Sequence, residues 1–151
     1  MQKLGKGMLA GLAATVVLSA LMVMKAMMGI MPALDLPRMI AGMMGAPNAP
    51  LLGWIVHFMI GVVGYGIAIV VFGNSATGAG NVMRGIAIGV VGWLIMMLML
   101  MPMVGAGFFG LNMGVMAPMM TLILHIIFGA VLGWVYGRLI GNDHRLSGAR
   151  A

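Results

Sequence analysis

Long apolar runs separate the charged residues of this chain. Eighteen uncharged residues lie between Lys6 and Lys25, 45 between Arg38 and Arg84, and 53 between Arg84 and Arg138. A membrane-spanning helix needs about 20 predominantly apolar residues, so these runs have room for at most one, two and two spans. The pattern predicts four membrane-spanning helices, at about residues 7–28, 51–72, 83–101 and 119–140.

The predicted fold is a single all-α membrane domain over residues 1–151, a four-helix transmembrane bundle. Backbone in the hydrocarbon core has to form its hydrogen bonds internally, which favours helices. The composition agrees, because 63% of the residues are hydrophobic and 7% are charged, against roughly 25% charged in soluble domains. This composition excludes a soluble globular protein. Residues 141–151 are expected to form a short polar cytoplasmic tail.

The basic residues indicate the orientation of the helices. Eight Lys and Arg residues stand against two Asp and Glu residues, and six of the eight fall on one predicted side of the membrane. Because cytoplasmic loops are enriched in Lys and Arg, both termini are predicted to be cytoplasmic. The basic residues are few and lie at span ends, which indicates topology and argues against nucleic-acid binding. The six are Lys3, Lys6, Arg84, Arg138, Arg145 and Arg150.

The two outer connections are apolar and differ from ordinary surface loops. Segment 32–50 contains Asp35 as a helix cap and Pro37 near a first turn, which predicts a short helix lying at or dipping into the interface. Segment 102–118 is uncharged and rich in glycine. Such irregular apolar backbone is expected to be buried against the helices and not to face lipid.

Part of the sequence recurs and predicts two similar helical hairpins. Four features recur after 68 residues, while Lys6-Gly7 and Gly11 recur after 78 residues as Arg84-Gly85 and Gly89. The order of these matches predicts two parallel-repeat hairpins related by an axis along the membrane normal. The features with the 68-residue offset are Ala49-Pro50, His57, Gly61 and Val63, matched by Ala117-Pro118, His125, Gly129 and Val131.

His57 and His125 are the histidines inside the predicted spans, and they share a depth in the outer half of the bundle. Each follows its Ala-Pro by seven residues and is followed at i+4 by Gly61 or Gly129. A small residue one turn away lets a flat group or another helix approach closely. Two imidazoles could therefore hold haem b, with the glycines giving clearance. The alternative is that the histidines form hydrogen bonds between helices.

Methionine is concentrated in the predicted outer half, which holds 17 of the 21 methionines. Thioethers suit Cu(I), so a copper site formed by His57 and His125 with Met97 and Met101 is a second hypothesis. Methionine also fills irregular gaps between helices, which is the alternative explanation. Lys25 is interpreted as a boundary anchor, with an ion pair to Asp35 as the alternative.

Three segments resemble a family of small bacterial four-helix membrane proteins of unknown function: LSALMVMKAMMGIMPALDL, MMLMLMPMVGAGFFG and APMMTLILHIIFGAVLGWVYG. The resemblance extends over nearly the whole chain. It implies a multi-pass protein of the bacterial cytoplasmic membrane, and it includes positions matching Lys25, Asp35, His57 and His125. It implies no activity, substrate or cofactor.

The sequence favours a non-enzymatic membrane protein. Asp35 and Asp143 fall on opposite sides of the membrane, which leaves no carboxylate pair for acid–base catalysis, and the chain has no cysteine. The expected role is an accessory or structural component that packs through glycine faces with a membrane-protein partner or with further copies of itself. A haem b or copper protein and a small oligomeric transporter remain alternatives.

Overall fold

A computed structural model of the protein describes residues 3–73 and 78–148. Within these residues the fold is all-helical, without strands. Residues 74–77 of the predicted turn and 149–151 of the predicted tail lie outside the described residues. The helices are α1 (Lys3–Met27), α2 (Leu36–Met43), α3 (Pro50–Phe72), α4 (Gly78–Ile95, continued by Met96–Leu100 and Met101–Met103) and α5 (Met116–Gly148).

Four of these helices are long and apolar enough to cross a membrane, which confirms the predicted number. Each presents large apolar side chains on its outer surface, such as Val16 on α1, Ile55 on α3, Val91 on α4 and Ile123 on α5. A lipid-facing surface has this apolar character. α5 continues to Gly148, beyond the predicted span end at residue 140.

Glycines let the two helices of each hairpin approach closely. In the first hairpin, a Cβ atom on Gly11 of α1 would collide with the backbone of Gly61 on α3. In the second, a Cβ atom on Gly89 of α4 would collide with the carbonyl oxygen of His125 on α5. Small residues let membrane helices approach closely, and van der Waals packing then holds them together. The equivalent glycines Gly11 and Gly89 therefore both lie at a hairpin contact. Gly11 meets Gly61, whereas Gly89 meets His125, which corresponds to the residue one turn before Gly61.

A π-helical segment, Ile60–Gly64, adjusts the spacing of the glycines on α3. Gly61 packs against α1 at Thr15, and Gly66 packs against α1 at Gly7, although they are five residues apart. In a regular α-helix this spacing would turn them about 140° away from each other. The extra residue in a π turn brings both glycines onto the face that meets α1.

The long helices are arranged in the order α3, α1, α5, α4. α1 packs on both α3 and α5, and α4 packs on α5, whereas α3 and α4 meet mainly between Tyr65–Phe72 and Gly78–Ile95. At the end where α1 begins and α5 ends, which we call the terminal end, Lys6 Nζ donates a 2.7 Å hydrogen bond to the carbonyl oxygen of Leu139. The fourth side of the bundle, between α3 and α4, is thus the least closely packed side.

α2 lies at the opposite end, which we call the α2 end. The Asp35 side chain caps α2 by accepting a 3.2 Å hydrogen bond from the Arg38 amide, and Pro37 lies in the first turn, as predicted. A Cβ atom on Gly53 of α3 would collide with the Pro37 carbonyl, so α2 packs directly on α3. Gly53 corresponds to Thr121 in the sequence repeat. The absence of a side chain at Gly53 therefore lets α2, which belongs to the outer connection of the first hairpin, pack against α3.

The second outer connection forms a compact apolar cap over α4. It includes a short 3-10 segment, Phe108–Met113, and Gly107 and Gly110 have positive φ angles of 74° and 68°. Ala106 is buried in a cluster with Met97 and Met101 of α4. The apolar loop is thus folded against the bundle, as the lack of charge predicts.

Candidate functional site

A cavity of about 450 Å³ lies between the four long helices, beneath α2. His57 of α3 and His125 of α5 both line it, together with Thr15 and Leu18 of α1 and a row of apolar residues from α4. The cavity wall is otherwise almost entirely apolar. The structure therefore brings the two predicted histidines to the wall of one cavity in the bundle.

His57 is buried, with 7% of its surface exposed, and it is held by both polar and aromatic neighbours. Its Nε2 atom lies 3.3 Å from Ser19 Oγ of α1. The Trp54 ring meets the imidazole edge-on, with ring centroids 5.7 Å apart. Because Ser19 and His57 lie on different helices, their hydrogen bond ties α1 to α3 at the cavity wall.

His125 is fixed by its own helix. Its Nδ1 atom lies 2.8 Å from the carbonyl oxygen of Thr121, one turn earlier. A carbonyl oxygen only accepts hydrogen bonds, so Nδ1 is the donor. In the uncharged ring, Nε2 is then the unprotonated nitrogen with an available lone pair. The hydrogen bond to Thr121 thus sets both the orientation of the ring and its tautomer.

Tyr65 and Phe128 form the floor of the cavity toward the terminal end. Their rings meet edge-on, with centroids 4.7 Å apart. The Tyr65 hydroxyl oxygen lies against Gly92 of α4, where a Cβ atom would collide with it. Phe128 follows His125 by three residues, which places this floor about one helical turn below the His125 ring.

Two π-helical segments border the cavity. Ile60–Gly64 of α3 and Met96–Leu100 of α4 are the π-helical segments of the described residues, and both contribute cavity-lining side chains. π turns inside α-helices occur frequently at functional sites. Their position here supports the assignment of the cavity as the candidate functional site.

The cavity opens sideways between α3 and α4. Ile60 on α3 and Ile95 and Met99 on α4 line it, and these side chains are 49%, 55% and 61% exposed. The two helices meet closely only toward the terminal end, below Tyr65. In a bilayer, this opening faces the acyl chains of the lipid.

Gly61 and Gly129 do not give clearance for a flat cofactor. A Cβ atom on Gly61 would collide with the Thr15 side chain, and one on Gly129 would collide with the backbone of Gly85 and Ile86. Neighbouring helices occupy the space beside both glycines. Of the two roles predicted for the i+4 glycines, these contacts support the close approach of another helix.

Met97 and Met101 are not brought to the histidines. Both are completely buried in the cluster with Leu34 and Ala106, away from the cavity. The thioethers that line the cavity with His57 and His125 are those of Met96, Met99 and Met103, together with Met43 of α2. No cluster of three or more His, Asp or Glu side chains occurs among the side chains that the structure describes, in residues 3–73 and 79–141. The structure therefore does not bring the predicted methionine ligands to the histidines, and the copper site stays a prediction.

Lys25 and Asp35 have separate partners. Lys25 Nζ donates hydrogen bonds to the carbonyl oxygens of Leu34 at 2.6 Å and Met31 at 3.1 Å. Asp35 forms an exposed ion pair with Arg38, in which Nε and Oδ2 are 3.3 Å apart. Lys25 thus anchors the first outer connection to the end of α1 through main-chain oxygens.

Sequence reasoning missed several polar residues of the site. Tyr65, Ser19 and Thr121 each contact the cavity or one of its histidines. Isolated polar residues in apolar spans were the available signal, and Thr121 precedes His125 by one helical turn. Thr121 also accepts a 3.1 Å hydrogen bond from the Trp93 indole, which explains why Trp93 lies within its span and not at an interface.

The model of a family of unknown function, DUF6789, matches residues 1–147. The chain belongs to DUF6789. This assignment confirms the resemblance to a four-helix membrane family of unknown function. No curated protein sequence and no solved structure matches this DUF6789 member.

Proposed function

We propose that this protein is a non-enzymatic membrane protein that holds a lipophilic molecule in the cavity between its four long helices. The observation that supports this proposal is the pairing of a nearly apolar cavity of about 450 Å³ with two histidines on its wall. Small-molecule sites are commonly concave, of some 300–1,000 Å³, mostly apolar, and equipped with a few polar groups that orient the ligand.

The opening between α3 and α4 supports a ligand drawn from the bilayer. The side chains at this opening are apolar, and they would contact lipid acyl chains directly. A polar solute would have to pass these side chains and leave its hydration shell, which is costly. A molecule already dissolved in the membrane meets no such barrier.

The glycine faces no longer support binding of a membrane partner. Gly7, Gly11, Gly85 and Gly129 all lie at contacts within the chain, where a Cβ atom would collide with backbone. A protein partner or a second copy would have to bind the outward apolar surface instead. The accessory role that we propose is therefore ligand holding within this chain.

Filling the cavity tests the proposal. Gly64 lines the cavity, and a Cβ atom there would have only Ile60 Cγ2 within 4 Å, at 4.0 Å, so Gly64→Phe can place a ring in the space without a backbone collision. Gly141→Phe is the matched control, because Gly141 is exposed on α5 and has no atom within 4 Å of its Cβ position. Each protein is purified in mild detergent, and organic extracts are compared by mass spectrometry.

We expect a stoichiometric lipophilic compound in extracts of the unsubstituted protein and of Gly141→Phe, and at least about a tenfold loss in Gly64→Phe. Such a loss corresponds to about 1.4 kcal/mol of binding free energy. Equal amounts of every extracted compound in all three proteins would contradict the proposal.

Haem b or copper held by His57 and His125 is a second candidate, since both imidazoles line the same cavity. The hydrogen bond from His125 to Thr121 is of the kind that orients metal-binding histidines. Absorption spectra before and after dithionite, with iron and copper analysis of the same purified sample, test it. A reduced haem band or stoichiometric copper that disappears in His57→Ala and His125→Ala would favour this candidate over a lipophilic organic ligand.

A further inference from the structure

His125, on the wall of the cavity, carries a hydrogen-bond acceptor that has no partner among the described residues. His125 donates from Nδ1 to Thr121, and its Nε2 atom makes no hydrogen bond within residues 3–73 and 78–148. Within the same residues, every fully buried side-chain nitrogen or oxygen has a hydrogen-bond partner. Nε2 is therefore accessible, and His125 lines the cavity.

The tautomer of His125 determines which ligand group can bind there. With the proton on Nδ1, the uncharged ring offers only an acceptor at Nε2. A ligand has to supply an O–H or N–H donor to pair with it. His57 differs, because its Nε2 atom is already 3.3 Å from Ser19 Oγ.

The Tyr65 hydroxyl is a second polar group at this end of the cavity. It makes no hydrogen bond within the described part of the chain and lies beside Gly92 of α4. A phenolic O–H both donates and accepts. A ligand hydroxyl that donates to His125 can therefore accept from Tyr65, whereas a carbonyl or an ether would satisfy only Tyr65.

We infer that the cavity selects a lipophilic hydroxyl compound, such as a long-chain alcohol, phenol or quinol, whose O–H donates to Nε2 of His125 while its apolar part extends between α3 and α4 toward the lipid. This inference rests on the proposed ligand-holding function and names the chemistry of the ligand. The apolar part lies against Ile60, Ile95 and Met99, the exposed residues of the opening.

Two probes that differ only in the hydroxyl group test the inference. Equilibrium binding of 1-hexadecanol and of hexadecane is measured on the purified full-length protein in lipid nanodiscs. One hydrogen bond to an otherwise unpaired acceptor predicts that the alcohol binds about fivefold to tenfold more tightly. His125→Phe keeps a planar ring and removes the acceptor, so the ratio of the hexadecane and 1-hexadecanol dissociation constants should fall to about 1. Gly141→Phe, on the exposed surface of α5, is the control and should retain the preference, and His57→Phe is measured beside it.

Nitrogen NMR of the unsubstituted protein gives a readout that is independent of any variant. With ¹⁵N-labelled histidine, 1-hexadecanol should shift the Nε2 resonance of His125, and hexadecane should not. Equal affinity for the two probes with no shift overturns the hydroxyl assignment while leaving the ligand-holding function intact. Loss of the preference in His57→Phe alone places the hydroxyl on the other histidine and also overturns the assignment. If neither probe binds, the proposed function itself is contradicted.

Discussion

Lys25 shows how main-chain oxygens, together with the charge of the nearby Asp35, can stabilise a charged residue near a membrane boundary. Its ammonium group donates to two main-chain carbonyl oxygens, while the nearby Asp35 pairs with Arg38. Hydrogen bonds from charged groups contribute about 1.5–3 kcal/mol, whereas exposed ion pairs contribute about 0–1 kcal/mol. The anchoring of the outer connection therefore depends on Lys25 much more than on Arg38.

We predict that Lys25→Met lowers the free energy of unfolding by about 2 kcal/mol, and that Arg38→Met lowers it by less than about 1 kcal/mol. Both variants remove one cation at the α2 end, so they form a matched pair. Thermal unfolding in detergent, followed by far-UV circular dichroism, measures the difference. Equal destabilisation by the two variants would show that net charge, and not the bonds to Met31 and Leu34, stabilises this end.

Among the helices and turns, the π turn of α3 shapes the cavity wall, and a deletion can test this role separately from folding. The extra residue keeps Gly61 and Gly66 on the face that meets α1. Deleting Val63 shortens the spacing of these glycines to four residues, which is the spacing that a regular helix places on one face. We predict that the variant folds but loses the ligand, because the deletion rebuilds the cavity wall at Ile60–Gly64.

Deletion of Val131 in α5 is the matched control, since Val131 corresponds to Val63 in the sequence repeat. α5 is a regular helix at this point, so the deletion turns the following residues by about 100° and moves Gly133 away from its contact with Asn81 of α4. We expect aggregation of this variant in size-exclusion chromatography and a single folded peak for the Val63 deletion. Aggregation of both would mean that the π turn is needed for folding itself.

These elements also show what the sequence could and could not predict. Apolar runs predicted the four long helices, and Asp35 with Pro37 predicted α2, because both signals are local. The separation of Met97 and Met101 from the histidines was not predicted, and the reason is different. Helical spacing correctly places these two residues on one face. In a membrane helix, however, both the inward and the outward faces are apolar. The sequence pattern therefore does not show which face meets the cavity. The π turns were missed for a related reason, since nothing in an apolar run marks one inserted residue.

At the scale of the whole molecule, the distribution of basic residues between the two ends of the bundle supports the predicted orientation in the membrane. At the α2 end, Arg38 is paired with Asp35, and Lys25 is bound to main-chain oxygens. At the terminal end, Arg84 bonds to the Phe72 carbonyl oxygen at 3.3 Å and Arg138 lies over the Trp134 ring, while further basic residues follow in the sequence. We therefore predict that the terminal end is cytoplasmic, because positive charge is retained on that side.

Because the chain has no cysteine, single-cysteine labelling can test this orientation without a background variant. Met44→Cys reports on the α2 end, where Met44 is 54% exposed, and Gly141→Cys reports on the terminal end, where the Cβ position is open. In intact cells, a membrane-impermeant maleimide should label Met44→Cys at once and Gly141→Cys only after the membrane is permeabilised. The reverse order would place the α2 end in the cytoplasm. The opening between α3 and α4, which lies nearer the α2 end, would then face the cytoplasmic leaflet, and the lipophilic ligand would have to come from that leaflet.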